Sequence, residues 1–202
     1  MAKTLHISFL LDETGSMSSN AIGTICAFNE YVESLKEGEH TKKAKFSLMK
    51  FNSTRMTQVY DSIPVSKIEL LNNDNYHPSS TTPLYDAVGG AIKFLGKKKN
   101  VLLVVQTDGM ENASREFTQK QIFDLVTKKR EKGWEFVFMG ADIDTWVGEQ
   151  MGIARGSTIS YDGNDPLKVF NLVSIGTQSY ADKSATGTAK KGEFFEKENN
   201  SG

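Results

Sequence analysis

Two apolar runs, His6-Ile7-Ser8-Phe9-Leu10-Leu11 and Val101-Leu102-Leu103-Val104-Val105, constrain this chain more than anything else in it. Neither alternates cleanly between apolar and polar residues, so neither can leave one face in water. Strands covered on both faces belong to a parallel sheet sandwiched between helices. Both runs end in oxygen-bearing residues, the first in Asp12-Glu13-Thr14-Gly15-Ser16-Met17 and the second in Gln106-Thr107-Asp108-Gly109.

The segments between them carry helical and hairpin signals. Ile22, Ile25, Phe28, Val32 and Leu35 recur at helical spacing, with Gly38 as a stop, which predicts a helix from about 19 to 37 with its apolar stripe facing the core. Residues 44–51 and 56–60 alternate about the turn Asn52-Ser53-Thr54 and read as a hairpin at one sheet edge. Residues 61–81 read as a surface connection with one short packed segment. Thr82-Pro83 reads as a cap followed by proline in the first helical position, and Leu84, Val88, Ala91 and Leu95 form the stripe of that helix. Its adjacent glycines, Gly89 and Gly90, cost up to about 1 kcal/mol each relative to alanine, so close packing on the sheet is the expected compensation. Thr118 and Gln121 stand in capping-box positions, flanked by Phe117 and Ile122. A strand at 134–139, a short helix at about 144–152, a strand at 157–161 and a helix opening at Asp165-Pro166 complete the pattern. The order is that of a doubly wound α/β sandwich, mostly parallel with one antiparallel edge strand. Its ligands bind outside the carboxyl ends of the strands, near the topological switch point. Asp12, Asp108 and Asp142 all fall at such ends.

Asp12, Thr14 and Ser16 are spaced by two, so a tight loop about Gly15 can turn three side-chain oxygens to one point. Hard oxygen donors without a soft ligand suit Mg²⁺, Mn²⁺ or Ca²⁺ and do not favour zinc. The same residue types also make ordinary turns and caps, so the motif by itself leaves both readings open.

The 202 residues fit one domain, expected over 1–182, with 183–202 as a flexible tail. A net charge of −1 argues against a general nucleic-acid binder, whose footprint is strongly basic. The single cysteine, Cys26, excludes an internal disulfide, fits a reducing compartment, and is expected as a small core filler on the first helix. No secretory signal and no apolar run long enough to span a membrane is visible, so a cytoplasmic protein without membrane contact is expected. Of the histidines, His6 is expected as a satisfied sheet residue, and His40 and His77 as solvated. Lys97-Lys98-Lys99 is expected to complement a helix C-terminus.

Taken together, these residues resemble a von Willebrand factor A domain with a metal-ion-dependent adhesion site (MIDAS), and in particular the stand-alone bacterial and phage-type members. Asp12, Thr14 and Ser16 match the family's D-x-S/T-x-S loop, Thr82 its later threonine, and Asp108 the aspartate of its T-D-G sequence. The similarity covers about residues 4–182. It implies one divalent cation, Mg²⁺ above Mn²⁺ or Ca²⁺, with Asp12, Thr14, Ser16, Thr82 and Asp108 as the metal residues. It also implies an open position for an acidic side chain of a protein partner. Glu13, Glu111, Asn112 and Asp142 are candidates for a supporting shell or partner contacts. Thr82 is expected to alternate between capping its helix and approaching the metal.

A metal-dependent phosphatase or hydrolase is the enzymatic alternative. Haloacid-dehalogenase-type phosphatases place a second aspartate two residues after the first, where this chain has Thr14, and no nucleophile elbow, P-loop or dinucleotide fingerprint occurs. A non-enzymatic role is therefore expected. A metal-independent scaffold within a larger assembly is the third reading.

Overall fold

The computed structural model describes residues 4–195. The first apolar run forms β1 (His6–Asp12), buried along its whole length. It lies between β2 (Lys45–Asn52) and β4 (Val101–Thr107), parallel to both. β3 (Arg55–Pro64) folds back antiparallel on β2 across the Ser53-Thr54 turn. On the other side β5 (Glu135–Ala141) and β6 (Thr158–Tyr161) continue in parallel. The six-stranded order is β3-β2-β1-β4-β5-β6. The direction of winding therefore reverses between β1 and β4, the place where a doubly wound sheet opens a crevice.

Alternating strand residues feed two cores. Ile7, Phe9 and Leu11 of β1 join one, with α1 (Ala21–Glu37) and α5 (Pro166–Thr186). Leu10 joins the other, with α2 (Leu84–Leu95), α3 (Gln119–Glu131) and the short α4 (Trp146–Gln150). In the first core the Phe9 ring meets Phe28 edge-on at 5.4 Å and stacks on Phe170 at 5.8 Å. Such offset and edge contacts are the favoured aromatic geometries. The Thr118–Gln121 capping box starts α3 as its spacing predicts. The glycine pair packs on the sheet only at Gly90, where a Cβ would stand 2.7 Å from Met56 Sδ of β3, whereas one on Gly89 would stand 2.5 Å from the Phe117 ring in the connection before α3.

Several expectations are corrected. Residues 15–20 form a 3₁₀ turn, so α1 begins only at Ala21; Ile22, in its first turn, lies off the face that buries Ile25, Phe28, Val32 and Leu35 and is 71% exposed. Cys26 is exposed rather than core filler. Pro83 is the N-cap of α2, and no side-chain cap bond is made there, so Thr82 does not cap. The expected tail begins too early. α5 runs to Thr186 and closes on Gly187 at φ 78°, and the following segment docks back on the molecule. Gly192 N–H donates to the buried Glu135 carboxylate at 3.0 Å, and Phe195 N–H donates to Gly156 O at 2.8 Å. Phe194 is buried against Tyr180; burying one such ring is worth roughly 1.5–3 kcal/mol. The rest of the expected tail, residues 196–202, lies outside the described residues. His6 is satisfied by Ser47 Oγ at 3.0 Å, and burial, with Lys98 nearby, lowers its pKa to about 4. His40 is paired with Asp182 at 2.7 Å, and His77 reaches Asp74 O at 2.9 Å. Lys98 follows the C-terminus of α2 but pairs with Asp61 at 3.2 Å.

Candidate metal centre

Parallel register brings the loops after β1 and β4 to one edge. Leu11 stands opposite Gln106, so Asp12 and Thr107 leave the sheet side by side. Thr107 Oγ1 donates to Asp12 Oδ2 at 2.5 Å, and Thr14 N–H donates to Asp12 Oδ1 at 2.7 Å. Both carboxylate oxygens are thus held, and the residue is fully buried. Ser16 Oγ crosses the crevice to donate to Asp108 Oδ1 at 2.6 Å, with Thr14 Oγ1 3.3 Å from Ser16 Oγ. Asp12, Thr14 and Ser16 face the crevice, and Glu13 between them faces away.

Thr82 arrives on the same edge from a different direction. A Cβ on Gly109 would lie 2.4 Å from Thr82 Oγ1, so the threonine hydroxyl abuts the backbone just beyond Asp108, and only glycine leaves room. Asn112 fixes the threonine's main chain from both sides, with Thr82 N–H donating to Asn112 Oδ1 at 2.9 Å and Asn112 N–H to Thr82 O at 3.1 Å. Glu111 ties the same two segments together. Its carboxylate accepts from Tyr85 N–H at 2.9 Å, from Ser114 N–H at 2.6 Å and from Ser114 Oγ at 2.7 Å. Asp86 returns the clasp by accepting from the backbone of Arg115, Glu116 and Phe117. The loop carrying Asp108 and the start of α2 behave as one piece.

The electrostatics are those of negative charge held out of water. Burial pushes the Asp12 pKa up to about 6, against the pull of its Thr107 and Thr14 hydrogen bonds and with the Asp108 charge adding to the rise. Asp108 is raised as well, mainly by burial, with Asp142 adding to it. Tyr161 is held up to about 12 by burial and by the same aspartates, against the pull of its Gln106 hydrogen bond, and so stays a neutral phenol. Among the described residues, no group of three or more His, Cys, Asp or Glu side chains is arranged to hold a metal. Asp12, Asp108 and the hydroxyls of Thr14, Ser16 and Thr82 are the groups that could hold a cation here. That donor set of two carboxylates and three hydroxyls is all hard oxygen and fits a hard dication.

The supporting residues divide. Asn112 and Glu111 hold the Thr82 segment, as described. Asp142 lies on the rim beside Asp108, exposed, at φ 54°, with both oxygens 3.3 Å from Gly163 N–H. Glu13 is turned from the crevice into an ion pair with Lys50. Three contributors escaped the sequence reading. Thr107 was visible in the T-D-G phrase, Asp86 in the helix start, and Tyr76, whose hydroxyl donates to Asp12 O at 2.7 Å, only as a lone aromatic in a polar connection.

No protein-family model matches the sequence, and no curated protein matches it in sequence. Solved structures do match in three dimensions. The vWF domain of the type V pili tip protein Mfa5 from Porphyromonas gingivalis aligns with a TM-score of 0.68 at 8% identity, over 89% of this chain and 96% of that one. Proximal thread matrix protein 1 from the mussel byssus, with a zinc-occupied MIDAS motif, aligns at 0.65 and 13% identity, over 88% of this chain. This chain spans only 46% of that longer protein. Manganese-loaded TRAP protein of Plasmodium vivax aligns at 0.54 and 18% identity, over 83% and 72% of the two chains. The fold is that of a von Willebrand factor A domain, and two of these similar proteins carry a divalent metal. No helix among the described residues is long and apolar enough to cross a membrane.

Proposed function

We propose that this protein is a metal-dependent protein-binding module and not an enzyme. One divalent cation, Mg²⁺ in preference to Mn²⁺ or Ca²⁺, is held by Asp12, Thr14, Ser16, Thr82 and Asp108. The observation that carries the reading is the Ser16 to Asp108 hydrogen bond of 2.6 Å, which joins the two halves of the donor set across the switch-point crevice. Asp12 and Asp108 supply the two negative charges and the three hydroxyls supply neutral oxygens. A bound dication would supply a positive centre able to accept an acidic side chain of the partner, and Mg²⁺ suits this because it keeps exchangeable waters. Thr14, in the place where haloacid-dehalogenase-type phosphatases have a second aspartate, supports the non-enzymatic reading. The lone Cys26, exposed and unpaired, supports a reducing, cytoplasmic setting.

Calorimetric titration with Mg²⁺ tests the metal, with binding expected in the parent protein and none in Asp12→Ala. Pull-down from host extract in Mg²⁺ against EDTA tests the partner. A partner retained in EDTA and by Asp12→Ala would replace this reading with the metal-independent scaffold. Phosphate release from generic substrates that depends on Asp12 would replace it with a hydrolase.

A further inference from the structure

Glu13 stands between two residues of the cation site yet is 1% exposed and points away from it. Its carboxylate accepts from Lys50 Nζ at 2.7 Å and from His77 N–H at 2.9 Å, with Arg55 Nη2 at 3.4 Å. Lys50, itself nearly buried, donates onward to Asn75 O. The contacts continue residue by residue along the same connection. Tyr76 donates to Asp12 O, Ser79 N–H donates to Glu13 O at 2.9 Å, and Ser80 O accepts from Gly15 N–H at 2.9 Å. Thr81 O then accepts from Ser53 N–H at 3.0 Å, and the next residue is Thr82.

We propose that the buried Glu13–Lys50 pair is a positioning device for the cation site, lacing residues 75–80 to the Asp12–Ser16 loop and so setting where Thr82 stands. The proposal rests on the reading that this crevice holds a cation. Stability alone does not call for such a pair, because a buried ion pair is commonly matched or bettered by apolar residues of similar volume. What apolar residues cannot do is hold Lys50, Asn75 and His77 in directed contact. The pair acts on the main chain behind the ligands, and residues behind ligands typically tune metal affinity by 10- to 100-fold.

The test compares Mn²⁺ affinity, read by electron paramagnetic resonance, in variants whose folding is checked by circular dichroism. Glu13→Leu/Lys50→Met removes the side-chain part of the lacing, at Asn75 and His77, without stranding a buried charge, and its affinity is expected to fall about tenfold. Glu13→Gln/Lys50→Met keeps an acceptor for His77 N–H and is expected to weaken binding only about threefold, recovering part of the loss. Glu135→Gln alters a buried acid at the opposite end of the sheet and is expected to stay within about twofold of the parent whatever stability it loses. If the apolar pair does not fold, the Glu13→Gln/Lys50→Met variant carries the comparison with the parent. Parent-like affinity in the laced-out variants, or an equal loss in Glu135→Gln, overturns the proposal while the cation reading stands. Failure of the parent itself to bind Mn²⁺ overturns both.

Discussion

The two sides of the crevice are built differently. On the β1 side and around Asp108, Asp12, Glu13 and Thr82 are buried and Asp108 and Glu111 half-buried, and hydrogen bonds of 2.5–2.9 Å hold them, including those from the exposed Ser16 to Asp108 and from Thr82 N–H to the exposed Asn112. On the β5 and β6 side, Asp142, Asp144, Asp162 and Asp165 are all exposed. Their contacts are local or long, such as Asn164 N–H to Asp162 at 2.8 Å and Gly163 N–H to Asp142 at 3.3 Å. Groups that must stand at a fixed point are braced, at the cost of burying charge. The rim carboxylates are left in water, where an exposed charge costs little and is worth little.

The largest expected contrast is at Asp12. Asp12→Asn is expected to weaken Mn²⁺ binding at least about 100-fold while raising the stability of the metal-free protein at pH 8. The sign follows from its raised pKa. The folded state holds this proton up to about pH 6, whereas the unfolded chain releases it near the ordinary value of about 3.9. Between those values the folded state binds more protons, so its stability falls as pH rises. Asparagine lacks that loss, and the parent and variant melting temperatures should diverge between pH 4.5 and pH 8. For the same reason, Mn²⁺ affinity of the parent should fall as pH drops through about 6, when a proton competes for Asp12. A melting difference that does not change with pH would remove the buried charge from the account.

Glu111→Ala comes next. It leaves Tyr85 N–H, Ala113 N–H and the Ser114 N–H and hydroxyl without their carboxylate acceptor. A loss of about 2 kcal/mol in urea unfolding is expected, within the range for bonds to a charged group, with about tenfold weaker Mn²⁺ binding because Thr82 and Asp108 lose their common clasp. Unchanged affinity would mean that the two loops do not need each other. The smallest effect is expected at Asp142→Asn, a change of no more than about threefold at low salt that disappears near 0.5 M salt, as for an exposed, screened charge. A large, salt-resistant loss there would make the rim part of the donor set.

Much of this architecture was legible in the residues. The unbroken runs of β1 and β4 required burial on both faces, and the capping box placed α3 correctly. What misled was local and specific. Ile22 is three residues from Ile25, but at about 100° per residue it stands away from the centre of the stripe formed by Phe28, Val32 and Leu35, and it is exposed. Thr82-Pro83 has the form of a helix start, yet Asn112, 30 residues away, holds the threonine main chain and leaves Pro83 as the cap residue. The sequence around Phe194 looks like a tail because only two aromatics break its polarity, whereas Glu135 and Tyr180 give that segment somewhere to dock.

At the site, the sequence by itself determined the alternation of strands and helices, because hydrophobic periodicity dictates it, and it set Asp12, Thr14 and Ser16 at a spacing of two. Glu13 turns to the opposite side in the loop that leaves β1. Only the tertiary structure decided what Glu13 would meet there, that Ser16 would reach Asp108 and that Gly109 would make room for Thr82. Those contacts join residues 37, 92 and 27 positions apart, and strand order and register, not local preference, bring such distant residues together.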